Sequence, residues 1–359
     1  MEPLFKPPLR TRGRNIIDAD GNRFKLLSLN WYGASDELFV VGGLDVQHRS
    51  SIASLIRSMG FNSVRLPYSD ELVYTNPIIR ADLLTANPDL IGGKALDIFT
   101  ATVNALTDAG LAVIVNNHIT QAGWFTGMDL CDATWSNDHL GMLCRVKQTE
   151  KQWIENWKTV MSPFVDNLNV IGADLRNEIH GFWGTAGWEP WAAAAERVGE
   201  RLLAMQPDWL MVVEGTSSAN DLSGVRKRPV KYSVPDRVVY SSHVYSWSGW
   251  GNLDPFSKRN YASFVEEMKK NWAYLLEEEI APVWVGEIGA PHSPGKGDTH
   301  YWKNLFKYLV EIDADFGYWA INPRKPHKNE RETYSLVEDD WKTVIHDYRL
   351  QDMERLMKQ

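Results

Sequence analysis

Two segments place a glutamate where it could do acid–base or nucleophilic chemistry: Leu175-Arg176-Asn177-Glu178 and Val285-Gly286-Glu287. Each glutamate follows an apolar, strand-like run. Two carboxyl groups facing each other can divide a task that neither performs alone. One, kept protonated, donates to a leaving oxygen, and the other, kept ionised, attacks carbon or activates water. Cleavage of a glycosidic bond needs such a pair. Arg65, in Val64-Arg65-Leu66-Pro67, would hold one carboxylate ionised by charge attraction, while partial burial would raise the pKa of the other. Further runs end in the same manner, in Asn116-Asn117-His118, Val213-Glu214, Ser242-His243-Val244-Tyr245 and Tyr318-Trp319. A purely structural protein has no reason to gather so many ionisable groups, because desolvating them costs free energy unless they pair or react. Glu214 reads as a supporting or helix-capping carboxylate rather than a reacting one.

These residues are only useful if the chain brings the ends of the runs together. The runs are 26–30, 63–66, 112–116, 170–175, 210–213, 238–241, 283–286 and 317–320. Helical patterns lie between most of them, at 45–59, 95–109, 150–167, 191–205, 261–278 and 300–311, with the weakest at 217–225. Continuous apolar strands alternating with helices mean a parallel sheet. Eight such units predict an α/β fold of the (β/α)8 TIM barrel type, in one domain over 1–359. A short N-terminal β-hairpin is expected, pairing 15–18 with 23–27 around Asp20-Gly21. No Gly-x-Gly-x-x-Gly follows the first run, which argues against a dinucleotide site. In this barrel type the chemistry gathers at the C-terminal ends of the strands, where the residues above lie.

Composition narrows the ligand. The chain carries 38 basic and 46 acidic residues, a formal charge of -8, which disfavours nucleic acid as a partner. It has 16 Trp, more than one core needs, and the surplus suggests stacking on flat, polar-rimmed ligands such as sugar rings or bases. Trp153, Trp157, Trp191, Trp272, Trp302 and Trp341 fall in helical patterns and are expected in the core. Trp124, Trp183, Trp188, Trp247 and Trp250 fall in loops on the catalytic face. No apolar run is long enough to span a membrane, so no membrane partner is expected. The opening residues MEPLFKPPLRTRG contain no secretory apolar stretch. An extracellular location is the expectation, with a cytoplasmic one as the alternative. Cys131 and Cys144 could close one loop by a disulfide or stand as two thiols.

The strand-end residues resemble glycoside hydrolase family 5, the cellulase family of (β/α)8 barrels. Eight matching positions carry the resemblance: Arg65 in VRLP, His118 in VNNH, Asn177 and Glu178 in DLRNE, His243 and Tyr245 in SSHVY, Glu287 in WVGEIG and Trp319 in GYWAIN. It covers nearly the whole chain. It implies that Glu178 is the acid/base and Glu287 the nucleophile of a retaining mechanism that needs no metal or cofactor. It further implies that Asn177 binds the sugar 2-hydroxyl, that Arg65 and Tyr245 hold Glu287, and that His118 and His243 bond the sugar or the carboxylates. Trp319 is implied as the platform under the sugar, and Trp31, Trp124 and Trp247 as further substrate contacts. Segments such as Asn30-Trp31-Tyr32-Gly33 look closest to endo-β-1,4-glucanases, which implies a monomer acting on a polysaccharide or oligosaccharide.

The chain departs from the family at two points. Asn177-Glu178 is followed by Ile179 instead of Pro. Asn322-Pro323 is followed by the basic residues Arg324, Lys325, His327, Lys328 and Arg331, a lip that could turn substrate choice towards a decorated or anionic sugar. Alternatives are another β-glycosidase acting on mannan, β-1,3-glucan or a glycoconjugate. Outside that class stand a non-catalytic carbohydrate-binding barrel and a metal-dependent barrel hydrolase using His118, His243 and a carboxylate.

Overall fold

The computed structural model describes residues 4–181, 187–248, 254–325 and 330–359. Eight parallel strands close a barrel in sequence order: β1 Leu27–Asn30, β2 Ser63–Ser69, β3 Ala112–Ile119, β4 Val170–Asp174, β5 Leu210–Glu214, β6 Val238–Val244, β7 Val283–Ile288 and β8 Asp315–Tyr318. The main outer helices are α1 Arg49–Ser58, α2 Ala95–Asp108, α3 Glu150–Met161, α4 Trp188–Leu203, α5 Tyr261–Met268, α6 Lys296–Glu311 and α7 Tyr348–Met357.

The two-residue period of a strand explains why the top of the barrel is polar. Along β3, Val113 and Val115 join the helix-facing cluster, whereas Ala112 and Ile114 face the axis. Along β5, Met211 and Val213 face the helices and Leu210 and Val212 the axis. Val239 and Trp284 complete this inner layer, and Phe5, Leu9, Ile16 and Phe24 plug it from below. The next inward positions upward are Asn116 and His118 on β3 and Glu214 on β5, all buried. An apolar floor therefore supports a polar rim, and the change of character occurs within single strands.

Tryptophans on the helices tie the strand ends in place. In α3, the indole N–H of Trp153 donates to Asn117 Oδ1 at 3.0 Å and that of Trp157 to the Leu175 carbonyl at 3.1 Å. In α4, Trp191 donates to the Glu214 carbonyl at 2.8 Å. Each bond satisfies a buried indole and a buried acceptor at a strand end at once. A capping box starts α3, with the Thr149 side chain accepting from the Gln152 N–H and Gln152 accepting from Thr149.

Several elements differ from the sequence expectation. The N-terminal hairpin pairs Arg10–Arg12 with Asn15–Ile17, and the Asp20-Gly21 turn adds only an isolated Ile17–Arg23 bridge. The pattern at 150–167 stops at Met161 and continues as one 3-10 turn, Ser162–Phe164, because Pro163 cannot donate to the α ladder. The 261–278 pattern is interrupted by a π turn at Lys269–Ala273. No regular helix occupies 217–225, where Ser217 and Ser218 take left-handed φ values of 54° and 56°. Trp341 is core as expected but sits in a bend beside Trp31. Two helices were not expected, Asp70–Thr75 and α7. The latter is anchored by buried Arg349, which donates to the carbonyls of Ala290, Tyr334 and Ser335.

Cys131 and Cys144 form a disulfide across the long segment after β3. Their separation of 13 residues defines the closed loop. Replacing both with Ser is expected to lower stability by about 3 kcal/mol through restored freedom of the unfolded chain. A denaturant midpoint unchanged from the parent would contradict this.

Candidate active site

Arg65 stands on β2 at the middle of the rim and is fully buried. All five of its N–H donors are used. Nε donates to Asp174 Oδ2 at 2.7 Å, one terminal nitrogen to Asn30 Oδ1 at 3.1 Å and Glu287 Oε1 at 2.5 Å, and the other to Asn177 Oδ1 at 2.8 Å and Glu214 Oε1 at 2.9 Å. These acceptors come from the ends of β1, β4, β5 and β7. Glu287 also accepts from the Tyr245 hydroxyl, at 2.8 Å on Oε2. Burial and the neighbouring Glu287 hold the Tyr245 phenol protonated, so it donates throughout the ordinary pH range. Both Glu287 oxygens thus receive donors, the setting an ionised carboxylate requires.

Glu178 meets a different environment. Its Oε1 receives one hydrogen bond, from His243 Nδ1 at 2.8 Å, and its side chain keeps 16% exposure. Burial pushes its pKa up to about 7, against the opposing pull of His243. A carboxylate oxygen of Glu178 and one of Glu287 lie within 4.8 Å of each other. Two adjacent carboxyls thus stand in different settings, Glu287 with two side-chain donors and Glu178 with one.

His243 stands between them. Burial favours its neutral form, but Glu214 and Glu287 outweigh that and raise its pKa well above the usual value. His118 goes the other way, held neutral by burial and by Arg65. Its Nδ1 pairs with Asn116 Oδ1 at 2.9 Å. The Nδ1 atoms of both histidines are thereby engaged with side chains.

The backbone carries strain at this point. Glu178 has φ +44°, a left-handed conformation that costs a non-glycine residue about 1–3 kcal/mol. Its N–H donates to Glu214 Oε2 at 2.7 Å, which pins the strained residue.

Two aromatic groups flank the pair. Trp319 stacks with Tyr32 (centroids 5.0 Å apart, 8° between planes) and with His118 (5.4 Å, 13°). Trp124 meets Tyr32 edge-on. On the other side, Tyr245 stacks with Trp247 at 4.5 Å and 8°, and Trp247 is 55% exposed. Together these line a cleft of about 360 Å³ that contains Glu178 and Glu287. A larger groove, about 560 Å³, lies at the opposite end of the barrel among Arg10, Arg12 and Arg237 and contains no paired carboxyls.

The structure thus gathers Arg65, His118, Asn177, Glu178, His243, Tyr245, Glu287, Trp319, Trp124 and Trp247 at one site. Trp31 is a correction. It is fully buried, donates to the Gly42 carbonyl at 2.9 Å and packs on Trp341, so it cannot touch substrate. Its neighbour Tyr32 faces the cleft instead. Trp188 is packing, with its N–H on the Arg228 carbonyl at 2.7 Å. Trp183 and Trp250 lie outside the described residues, as do His327 and Lys328. Among the described residues of the basic lip, Arg324 pairs with Asp339 at 2.7 Å and Arg331 with Glu338 at 3.2 Å. Lys325 lies at the cleft, 4.6 Å from the Trp124 ring centre, with Glu330 at 4.0 Å. Asp174, Asn30, Glu332 and Tyr334 were not anticipated; Asp174 was visible in the same DLRNE motif, one inward position below the rim.

A closed β/α barrel whose rim holds two unlike carboxyls between aromatic surfaces defines a glycoside hydrolase. Comparison with known proteins agrees. The family model for cellulase (glycosyl hydrolase family 5) matches residues 17–325. The chain is 31% identical to an endoglucanase of Paenibacillus polymyxa, over 93% of this chain and 83% of that protein. It is 26% identical to the major extracellular endoglucanase of Xanthomonas campestris pv. campestris, over 93% of this chain and 68% of that one. A cellotetraose complex of a variant endocellulase from Pyrococcus horikoshii is similar with a TM-score of 0.81 at 27% identity, covering 98% of this chain and 100% of that chain. This protein belongs to the cellulase family, glycosyl hydrolase family 5.

Removing the central cation tests the account of the rim. Arg65→Met leaves Asp174, Glu214 and Glu287 without their shared partner in a buried setting. A loss of about 3–5 kcal/mol in unfolding free energy is expected, measured by denaturant titration. A loss within error of zero would show that the carboxylates do not depend on it.

Proposed function

We propose that the protein is a retaining endo-β-1,4-glucanase in which Glu178 is the acid/base and Glu287 the nucleophile. The observation that carries this reading is the short gap between two carboxyls in unlike settings. An oxygen of each within 4.8 Å of the other agrees with the closer spacing of retaining enzymes, about 5–5.5 Å between carboxyl groups.

In the first step Glu287 attacks the anomeric carbon. The bond to the leaving oxygen breaks as that oxygen takes the Glu178 proton. In the second step a water gives a proton to Glu178, attacks the same carbon and releases Glu287. Arg65 and Tyr245 hold Glu287 aimed and ionised. Asn177 Oδ1 is bonded to Arg65, which turns its amide N–H group towards a sugar hydroxyl. Trp319 would underlie the sugar at the cleavage point, with Trp124 and Trp247 as stacking surfaces on either side.

The glucan specificity is supported by the endoglucanases and endocellulase this chain is similar to. An extracellular place of action is supported by the Cys131–Cys144 disulfide and by the extracellular Xanthomonas relative. We take the chain to act as one catalytic domain and a monomer.

Reducing-sugar release from carboxymethylcellulose, mixed-linkage glucan, mannan and β-1,3-glucan tests the specificity. Cleavage of the first two is expected. If both stay intact while another polymer is cut, the specificity is wrong although the chemistry stands. Glu287→Gln is expected to lower turnover by about 10⁴-fold or more.

The protonation states set the pH dependence. Glu178 must carry its proton to act as acid, and its pKa is pushed up to about 7. Activity should therefore hold through mildly acidic pH, and kcat/KM should fall about tenfold per unit above neutrality as Glu178 ionises. A profile flat to about pH 9 would remove Glu178 from the acid role.

A further inference from the structure

Glu214 is buried on β5 and does not reach the cleft. It nevertheless meets an unusual set of donors. Oε2 accepts from the Glu178 N–H at 2.7 Å, and Oε1 accepts from Arg65 at 2.9 Å. Oε1 also lies 3.5 Å from His243 Nε2, the far side of the ring whose Nδ1 bonds the Glu178 carboxyl at 2.8 Å. Asp174, at the end of the adjacent strand β4, is a further electrostatic neighbour. One carboxylate thus binds the main chain of Glu178 and stands against the far side of the imidazole that binds its side chain.

We propose that Glu214 is a positioning residue for the acid/base, holding Glu178 by its backbone N–H and bracing the far side of His243, which directs the Glu178 carboxyl. The proposal rests on the reading of Glu178 as acid/base. A carboxylate needed only to fill space or balance Arg65 would not require a bond to the strained residue next door. Nor would it need to touch the opposite nitrogen of the same imidazole.

The electrostatics run in the same direction. Burial alone would protonate Glu214, but His243 and then Arg65 outweigh it and bring its pKa down to about 2. Asp174 is held well above its usual value, by burial and then by Glu214. The other charged or titratable groups around His243 and Glu178 are Glu287, Arg65, His118 and Tyr245. Removing the Glu214 charge lowers the His243 pKa, because Glu214 is its first attractive partner. A His243 that gives up its proton more readily draws the Glu178 proton away less, and the His243 pull on Glu178 is larger than the direct repulsion lost with Glu214. The Glu178 pKa therefore moves up.

The test compares kcat/KM against pH for two substrates, cellotetraose and a dinitrophenyl β-cellobioside. The first has a leaving group that needs the acid; the second leaves without help. For Glu214→Gln, kcat/KM on cellotetraose is expected to fall about tenfold or more, with the aryl cellobioside changed by less than about threefold and the alkaline limb moved to higher pH. Equal losses on both substrates with an unmoved limb, or no loss on either, would overturn the proposal. Glu214→Asp keeps the charge on a shorter arm. It is expected to return the limb to its parental position while retaining part of the cellotetraose defect, and it carries the test if the Gln variant does not fold. Equal losses on both substrates for the Asp variant would also overturn it. Glu178→Ala serves as the control. If it loses as much on the aryl substrate as on cellotetraose, the acid/base assignment of Glu178 fails, independently of Glu214.

Discussion

A single buried guanidinium organises this molecule. Arg65 donates to five side-chain acceptors at the ends of four strands other than its own. Aligning the strand ends and aligning the reacting groups are therefore one interaction. The planar fork suits this, since five donors in fixed directions specify where five acceptors must stand. A lysine could match the charge but not the directions.

Burial of so much charge demands a balance. The rim contains Arg65 and a protonated His243 against Asp174, Glu178, Glu214 and Glu287. Asp174 and Glu178 are both pushed up by burial, whereas Glu214 is pulled down by its cationic neighbours. Arg65 and His243 offset part of the negative charge that the four carboxyls would carry, and burial resists adding more. That resistance is what favours a proton on Glu178.

Much of this was legible in the residues because the barrel has a simple grammar. Apolar runs mark strands, and the residue that ends each run marks the rim, so eight site positions could be read directly. What was missed follows from facing and from distance. The resemblance points to Trp31, whereas Tyr32 faces the cleft. The strand period from Ser28 through Asn30 points inward at every second residue, and this favours Tyr32. Asp174 was overlooked because it lies one inward step below the rim, where carboxylates are rare. Helix α7 is short and polar on average, and its anchor is tertiary: Arg349 bonds the carbonyls of Ala290, Tyr334 and Ser335, which lie outside the helix. The basic lip after Asn322 looked like a charge feature because its acidic partners, Asp339 and Glu338, come later in the chain.

The tryptophan surplus divides along the same line. On α3 and α4, indoles face inward and bond Asn117, Leu175 and Glu214 at the tops of β3, β4 and β5. On the loops, Trp124, Trp247 and Trp319 surround the carboxyl pair. The first group carries no sugar, yet it bears on the second. Trp191 bonds the main-chain oxygen of Glu214, whose side chain bonds the main-chain nitrogen of Glu178. The position of the proposed acid is thus set from the outer helix layer inward through β5. The left-handed backbone at Glu178 would otherwise be free to relax, and the short distance to Glu287 would relax with it.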